Sequence, residues 1–468
     1  MALVGFMGAG KSTLGPELAA RLGRPFVSVD SIVEERTGES IAEHFAERGE
    51  SAFRQLEEQV ATEVLDRRLP VVVELGGGAV GSIETREALE QNAFTLLLEA
   101  SPEEAWARVA DSGRPLARDP RAFHALYDER KSLYDRVADG RATDADGAIL
   151  AAAGVDIEDG ALARLTELVP GDGPVEVVAD ATVARLHGEV VRAGLADRLV
   201  GEHEVPAGER AKTAGEAERL WSTIRLDRSG TLVALGGGST LDLAGFVAAT
   251  HLRGIAWTPI PTTLVAQVDA GIGGKTAIDV PAGKNLVGAF HWPARVLTDM
   301  ATLATLPAAE VENGLAEVVK TGLLAGERLW ELETAEQVRR CAAFKAAICL
   351  RDPLDRADRA QLNLGHTFAH ALESASGYTL AHGRAVALGL LAALRLSGLH
   401  DEAQTVQEVL QPTPVAVDRD VAWAALTRDK KAKAGSPRLV LLDAPGRPRW
   451  GVQVDARDVR AVLDTLIA

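Results

Sequence analysis

Residues 5 to 12 read Gly5-Phe6-Met7-Gly8-Ala9-Gly10-Lys11-Ser12, directly after the apolar run Ala2-Leu3-Val4. Glycines in such a loop let successive backbone N–H groups turn toward anionic oxygens. Lys11 reaches the β- and γ-phosphates of a nucleotide, and the Ser12 hydroxyl can ligate Mg²⁺ at the start of the following helix. The chemistry this pattern predicts is phosphoryl transfer from ATP with Mg²⁺. Farther on stand Asp30, Arg54, the turn Gly76-Gly77-Gly78, Arg114 between Gly113 and Pro115, and Arg130. An acid with separated guanidinium groups suits a polyhydroxylated carboxylate. Asp30 would accept hydrogen bonds from hydroxyls, and Arg54 and Arg130 would grip the carboxylate in bidentate geometry. Arg114 would close over ATP and stabilise charge on the moving phosphoryl group.

A second constellation follows. Leu235-Gly236-Gly237-Gly238-Ser239-Thr240-Leu241-Asp242 comes after a strand-like run and before an apolar helix, the setting for a pyrophosphate at a helix N-terminus, although it is not a GxGxxG fingerprint. Pro261-Thr262-Thr263 and Asp269 then precede Lys275, Lys284 and Asn285, with Gly271, Gly273, Gly274 and Gly283 among them. The chain carries 50 basic against 67 acidic residues, a formal net charge of −17. Lysines this close repel one another unless an anion compensates, so the cluster predicts a phosphate pocket. Glu317, His366, His370 and His382 come next. A carboxylate and two imidazoles make three ligands for a Zn²⁺-like ion that keeps positions open for substrate. His366 and His370 are four residues apart and could both ligate from one helical face, so spacing leaves the choice among the histidines open.

The elements that must hold these groups follow from pattern and length. A chain of 468 residues implies two to four domains at roughly 100 to 200 residues each. Up to about residue 168, short apolar runs such as Val71-Val72-Val73 and Phe94-Thr95-Leu96-Leu97-Leu98 alternate with amphipathic stretches, which predicts a parallel sheet with covering helices. Residues 169–174, Val-Pro-Gly-Asp-Gly-Pro, are rich in turn formers and are the expected linker. Strand and helix patterns alternate again over 175–300, and 301–468 reads as all-α. Net acidity argues against nonspecific binding to nucleic acid or anionic membranes. No signal-peptide or membrane-span pattern is present, and the two cysteines, Cys341 and Cys349, share one predicted helix, so the expected setting is a reducing, cytoplasmic one.

The first region resembles shikimate kinase, of the nucleoside-monophosphate-kinase-like P-loop group, in GFMGAGKSTLG, VDSIVEERTGESIAEHFAERGESAFRQLE, ELGGGAV, GRPL and YDERKSLYDRVAD. The resemblance implies that Gly8, Ala9, Gly10, Lys11, Ser12, Thr13 and Arg114 bind ATP, and that Asp30, Arg54, Gly77, Gly78 and Arg130 bind shikimate. Lys11, Asp30 and Arg114 would be catalytic, and Ser12 the Mg²⁺ ligand. One departure stands out: Ser28 occupies a position where the family usually has a second acid. Serine supplies a hydrogen bond but no charge, which implies weaker Mg²⁺ dependence or slower turnover.

The remainder resembles 3-dehydroquinate synthase in GGGSTLDLAGFVAATHLRG, PTTLVAQVDAGIGGKTAIDVPAGKNLVGAF, GLAEVVKTGLL, QLNLGHTFAHALE, HGRAVALGL and RDKKAKAG. The resemblance implies a metal, Zn²⁺ or Co²⁺, on Glu317, His366 and His382, with His370 left for substrate and proton handling. NAD would lie against Gly208, Glu209, Lys212, Gly238, Ser239, Thr240, Asp242, Thr262, Thr263, Lys275 and Lys284. Arg253, Asp269, Lys284, Asn285, Lys320, Lys345, Arg359, Asn363, His370 and Lys430 would line a heptulosonate phosphate, with Asp269, Lys275, Lys320 and His370 catalytic. The implied sequence oxidises a hydroxyl of a seven-carbon phosphorylated sugar acid with NAD, eliminates phosphate, re-reduces the ketone with the same NADH, and recloses the opened ring as a carbocycle. Homodimerisation through this half is also implied.

Three departures bear on the second half. The start before Val175 looks trimmed, Ala207 and Leu241 replace a usual acid and glycine beside the nucleotide, and Arg384 stands where an acid is common. Two other readings compete. A polyol dehydrogenase of similar fold would need no lysine cluster for its neutral substrate, and a noncatalytic binding domain would need neither Lys11 nor the metal set.

Overall fold

The computed structural model describes residues 1–67, 70–110, 116, 119–427 and 437–468. It divides into two compact units, Met1–Ala153 and Gly154–Ala468.

The first unit is built on strands β1 (Ala2–Val4), β2 (Phe26–Ser28), β3 (Val72–Glu74), β4 (Thr95–Leu98) and β5 (Gly140–Ala142), in the order β2-β3-β1-β4-β5. All neighbouring pairs are parallel. Alternation sends Ala2, Val4 and Val73 into one core with Val60 and Val64 of the helix Ile41–Leu65. The opposite face is covered by the helix Lys11–Arg21, whose Gly15 has no room for a side chain: a Cβ there would come within 2.2 Å of the Phe26 ring. Between β1 and that helix the chain turns through Gly5, Gly8 and Gly10 at φ 148°, 82° and 100°, values that side chains other than glycine's rarely allow.

The second unit contains β6 (Val155–Glu158), β7 (Val175–Asp180), β8 (Leu199–Val205), β9 (Thr231–Gly236) and β10 (Ala256–Pro261). Then follow a hairpin of β11 (Lys275–Val280) and β12 (Gly283–Phe290), and β13 (Val296–Asp299). The main sheet runs β10-β9-β7-β8, all parallel.

The domain boundary differs from the expected linker at 169–174. β6 pairs in parallel with β13, the Asp299 carboxylate accepts the Gly160 and Leu162 N–H groups at 3.0 and 2.9 Å, and Leu162, Leu165 and Val169 are buried against Val177 and Leu195. Residues 154–169 are therefore part of the second unit's core, and the turn-rich stretch after them is a bend inside that unit. Residues 154–169, whose sequence pattern places them with the first region, thus precede β7 as part of the second unit.

Beyond residue 300 the unit is mainly helical, with Ala308–Ala325, Thr334–Arg351, His366–Ala375 and His382–Leu396 around a core that includes Phe368, Leu372, Leu388 and Leu391. It is not all-α: β14 (Arg438–Ala444) and β15 (Arg447–Gln453) form an antiparallel hairpin whose Leu439 and Leu441 join that core. Gly389 lets two helix-bearing segments touch, because a Cβ there would lie 2.0 Å from the Gly365 carbonyl oxygen. Among the described residues no helix is long and apolar enough to cross a membrane.

Candidate active sites

In the first unit the phosphate loop is already closed on itself. Lys11, buried to 7% exposure, donates to the Gly5 and Phe6 carbonyls at 2.7 and 3.3 Å, so its ammonium is held inside the loop where phosphate oxygens would replace those carbonyls. Arg108 braces the loop from outside through the Gly8 and Ala9 carbonyls at 3.0 and 3.2 Å. Gly10 caps the helix that carries Lys11, Ser12 and Thr13, leaving its N-terminal amides free of any side-chain cap.

Beside the loop, a cavity of about 360 Å³ brings together all five residues expected to hold the acceptor: Asp30, Arg54, Gly77, Gly78 and Arg130. Arg54 is fixed by Glu57 at 2.6 Å and by Glu50 at 3.1 and 3.2 Å. The guanidinium occupies the volume a side chain on residue 78 would fill, 2.2 Å from its Cβ, which is why that position is glycine. Arg130 and Tyr134 both donate to the Gly77 carbonyl, at 3.0 and 2.5 Å. Glu57 was missed by sequence reasoning. Burial pushes its carboxyl above the usual range, and Arg54 limits the rise. Its spacing of three residues from Arg54 on one helix was the available signal. Ser28 caps the helix Val29–Thr37 by accepting the Ser31 N–H at 3.4 Å. Arg114 lies outside the described residues.

In the second unit, a cavity of about 950 Å³ is lined by Gly208, Glu209, Lys212, Gly238, Ser239, Thr240, Asp242, Thr262, Thr263 and Lys284, and also by Asn285, His370 and His382. The helix Gly238–Thr250 begins at this cavity without a side-chain cap, as an anion-binding end should. Lys212 lies between Asp242, at 2.8 Å, and Asn285, while Ser239 and Lys284 reach Glu209 at 2.7 and 3.2 Å. Of the residues expected around NAD, Lys275 alone does not line the cavity; it pairs with Asp355 at 2.6 Å. Ala207 borders the cavity, whereas Leu241 is turned into the core beside Ala244 and Ala266.

The metal set is assembled from three helices. One ligand atom each from Glu317, His366 and His382 lies within 4.8 Å of the others. His382 Nε2 is 3.1 Å and His366 Nε2 3.4 Å from Glu317 Oε1. Burial works to raise the Glu317 carboxyl, but Lys320 and His366 outweigh it and hold it well below the usual carboxylate range. A carboxylate and two imidazole nitrogens converging in this way form a donor set of the kind that holds a divalent cation. His370, one turn along from His366 with ring centres 5.5 Å apart, faces the cavity.

Glu373 was also missed: its carboxylate takes His382 Nδ1 at 3.0 Å and so leaves Nε2 toward Glu317. It lies seven residues after His366, on the same helical face, so period alone could have found it.

Lys320 bridges Asp269 at 2.6 Å and Glu317 at 2.5 Å, and Lys345 also pairs with Asp269. Arg359 is buried against the Gly273 carbonyl at 2.9 Å, and Asn363 donates to the Ala360 carbonyl at 3.2 Å. Arg253 is not brought to this cluster: it is exposed, in the turn His251–Arg253, at φ 68°. Arg384 turns away to Thr413, and Lys430 lies outside the described residues.

The folds and sites define a P-loop phosphotransferase unit followed by a unit that joins a nucleotide turn to a carboxylate–histidine metal set. The family model described as shikimate kinase matches residues 7–153, and those described as 3-dehydroquinate synthase N-terminal and C-terminal match 202–313 and 314–432. The 3-dehydroquinate synthase of Symbiobacterium thermophilum is 39% identical over 347 residues, 65% of this chain and 96% of the relative. That of Gloeobacter violaceus is 43% identical over 344 residues, 66% of this chain and 95% of the relative. Among solved structures, 2-epi-5-epi-valiolone synthase from Streptomyces hygroscopicus subsp. jinggangensis, with NAD⁺ and Zn²⁺ bound, is 26% identical at a TM-score of 0.60, covering 67% of this chain and 96% of the other.

The chain belongs to the 3-dehydroquinate synthase family and carries a shikimate kinase ahead of it. It is a bifunctional enzyme of the shikimate pathway, a kinase that phosphorylates shikimate from ATP and a lyase that converts 3-deoxy-D-arabino-heptulosonate 7-phosphate to 3-dehydroquinate.

Proposed function

We propose the following division of labour among the residues. In the kinase unit, Lys11 exchanges its loop carbonyls for the β- and γ-phosphates of ATP, Ser12 faces Mg²⁺, and Arg54 and Arg130 hold the shikimate carboxylate. Asp30 orients the accepting hydroxyl and receives its proton, and Arg114 covers the transferring phosphoryl group. Gly77 and Gly78 keep the acceptor cavity open beside Arg54.

In the synthase unit, NAD⁺ lies on the Gly238 turn between Lys212, Thr262 and Lys284, and Glu317, His366 and His382 hold Zn²⁺ or Co²⁺. The fit rests on the donor set: a buried carboxylate held ionised, two imidazole nitrogens converging on it, and Glu373 fixing the tautomer of one. When bound, the metal polarises a substrate hydroxyl and NAD⁺ accepts hydride. His370 moves the proton on the cavity side, Asp269 holds Lys320 and Lys345 in place, and these lysines meet the substrate's anionic groups with Asn285, Arg359, Asn363 and Lys430. Lys275 acts from the substrate end rather than against NAD. The unit works as a homodimer, and the enzyme is cytoplasmic.

The observation that carries this reading is one cavity bordered by both the Gly238 turn and His370, His382 and Glu373, so that hydride acceptor and metal ligands face a single substrate. The test is phosphate release from the heptulosonate phosphate by the full chain with catalytic NAD⁺ and measured metal content. The expected result is many phosphates released per NAD⁺ with no NADH accumulating. Net NADH formation from a neutral polyol would instead establish a dehydrogenase.

A further inference from the structure

Glu74 ends β3, the strand beside β1, which runs into the phosphate loop; it is level with Leu3 on one side and with Ser28 on the other. Alternation along these strands places Val73 and Leu75 in the core with Ala2, Val4 and Val27. Glu74, Leu3, Ser28 and Phe26 accordingly share the opposite face. Phe26 shows what covers that face, since its ring stands 2.2 Å from where Gly15 of the helix Lys11–Arg21 would carry a Cβ. The turn that follows Glu74 also lies against the loop: Leu75 donates to the Leu3 carbonyl at 3.1 Å, and a Cβ on Gly77 would come 3.1 Å from the Met7 nitrogen. Glu74 is therefore a carboxylate at the strand ends from which the loop leaves, on the face that bears Ser12.

P-loop enzymes hold Mg²⁺ between the loop hydroxyl and an acid at the end of a neighbouring strand. Ser28, level with Glu74 but engaged in capping its own helix, offers no charge. Adjacent strands are about 4.8 Å apart, a span that a glutamate side chain crosses. We propose that Glu74 is the magnesium-side carboxylate of the kinase unit, accepting hydrogen bonds from the ion's water shell opposite Ser12. This rests on the roles proposed above for Lys11 and Ser12.

The test is ADP binding to the full chain, titrated with and without Mg²⁺, for the parent, Glu74→Gln, Glu74→Gln/Ser28→Asp and Lys11→Ala. Lys11→Ala reports any ADP held outside the loop. The expected result is that Glu74→Gln weakens Mg²⁺ uptake by the ADP complex about ten- to a hundredfold while leaving Mg²⁺-free ADP binding unchanged, as removal of a carboxylate supporting a metal's shell does. Ser28→Asp in that background should recover a large part, because it returns a carboxylate one strand away on the same face. Unchanged Mg²⁺ dependence in Glu74→Gln overturns the proposal, and so does an equal loss of ADP binding with and without Mg²⁺, which marks a structural role. If parent and Lys11→Ala bind ADP alike, the phosphate-loop roles themselves fall, a result distinguishable from failure at Glu74.

Discussion

The acceptor cavity of the kinase unit and the cleft of the synthase unit both have to attract anions to a chain of net charge −17, and they use charge in opposite ways. In the kinase, the cations are guanidinium groups at the cavity wall. Arg54 has one deeply buried partner, Glu57, and lies over the Phe45 and Phe53 rings at 5.9 and 5.3 Å, which sets its plane while leaving donors for a ligand. In the synthase, two of the cations are ammonium groups taken almost fully out of water, Lys212 at 3% and Lys320 at 2% exposure, each held between carboxylates. A guanidinium can keep its partner and still grip a carboxylate with its remaining donors. An ammonium carries a point charge whose burial is tolerable only beside an acid, so Lys212 and Lys320 stand in ion pairs.

The largest expected break between the two halves comes from metal removal. Dialysis against a chelator, followed by Mg²⁺ alone, should restore full shikimate phosphorylation and leave the heptulosonate reaction at background until Zn²⁺ or Co²⁺ returns. Recovery of both with Mg²⁺ alone would contradict the assignment of Glu317, His366 and His382. Next in size is Lys320→Met. Burial works to lower the Lys320 pKa, yet Asp269 and Glu317 raise it, so the charge is integral to the pair network. Removing it leaves the buried Glu317 carboxylate with only its two imidazoles and Asp269 with Lys345 alone, and breaking such a buried pair costs about 3 to 5 kcal/mol. Urea unfolding of the second unit should shift accordingly while the first unit's transition stays in place. Lys320→Met/Asp269→Asn should recover part of the loss, and equal effects from single and double variants would show that the network does not couple.

Glu373→Gln gives a smaller effect. Loss of the carboxylate that orients His382 should weaken Zn²⁺ binding roughly ten- to a hundredfold without changing thermal stability of the kinase unit. Competition with a chromophoric chelator reads the affinity directly; a parent-like value would mean that His382 needs no such partner.

Much of both sites was legible because local motifs carry them: the glycine–lysine–serine loop and the Gly238 turn each fix a backbone shape as well as a chemistry. Asp30, Arg54, Gly77, Gly78 and Arg130 line one cavity, and Glu317, His366 and His382 lie within 4.8 Å of one another, although spacing alone did not choose among the histidines. What sequence could not show was pairing at a distance. β6 finds its partner β13 some 140 residues later, and nothing in Val155-Asp156-Ile157-Glu158 says which unit it joins, so the turn formers at Pro170 and Gly171 passed for a linker. The hairpin Arg438–Gln453 was missed because helices, Arg419–Thr427 and Ala456–Asp464, flank it. Glu57 and Glu373 were overlooked for a related reason: each acts through another side chain, and a supporting acid looks like any surface glutamate until burial is known.

The smallest effect falls on the kinase side of the comparison. Arg54→Lys preserves the charge, and a lysine could still meet Glu57, so the buried acid remains compensated and the fold should hold. What disappears is the fork, which lets one group satisfy Glu57 and Glu50 while presenting further donors to the cavity. The expected result is a shikimate KM raised about tenfold, near 1.4 kcal/mol, with the KM for ATP unchanged. Lys320→Arg on the synthase side is the matching change: a larger planar group in a site 2% exposed should destabilise the second unit as well as raise the substrate KM. If Arg54→Lys were silent while Lys320→Arg changed only substrate affinity, charge alone would govern the kinase cavity and shape the synthase cleft, reversing the distinction drawn between the two sites.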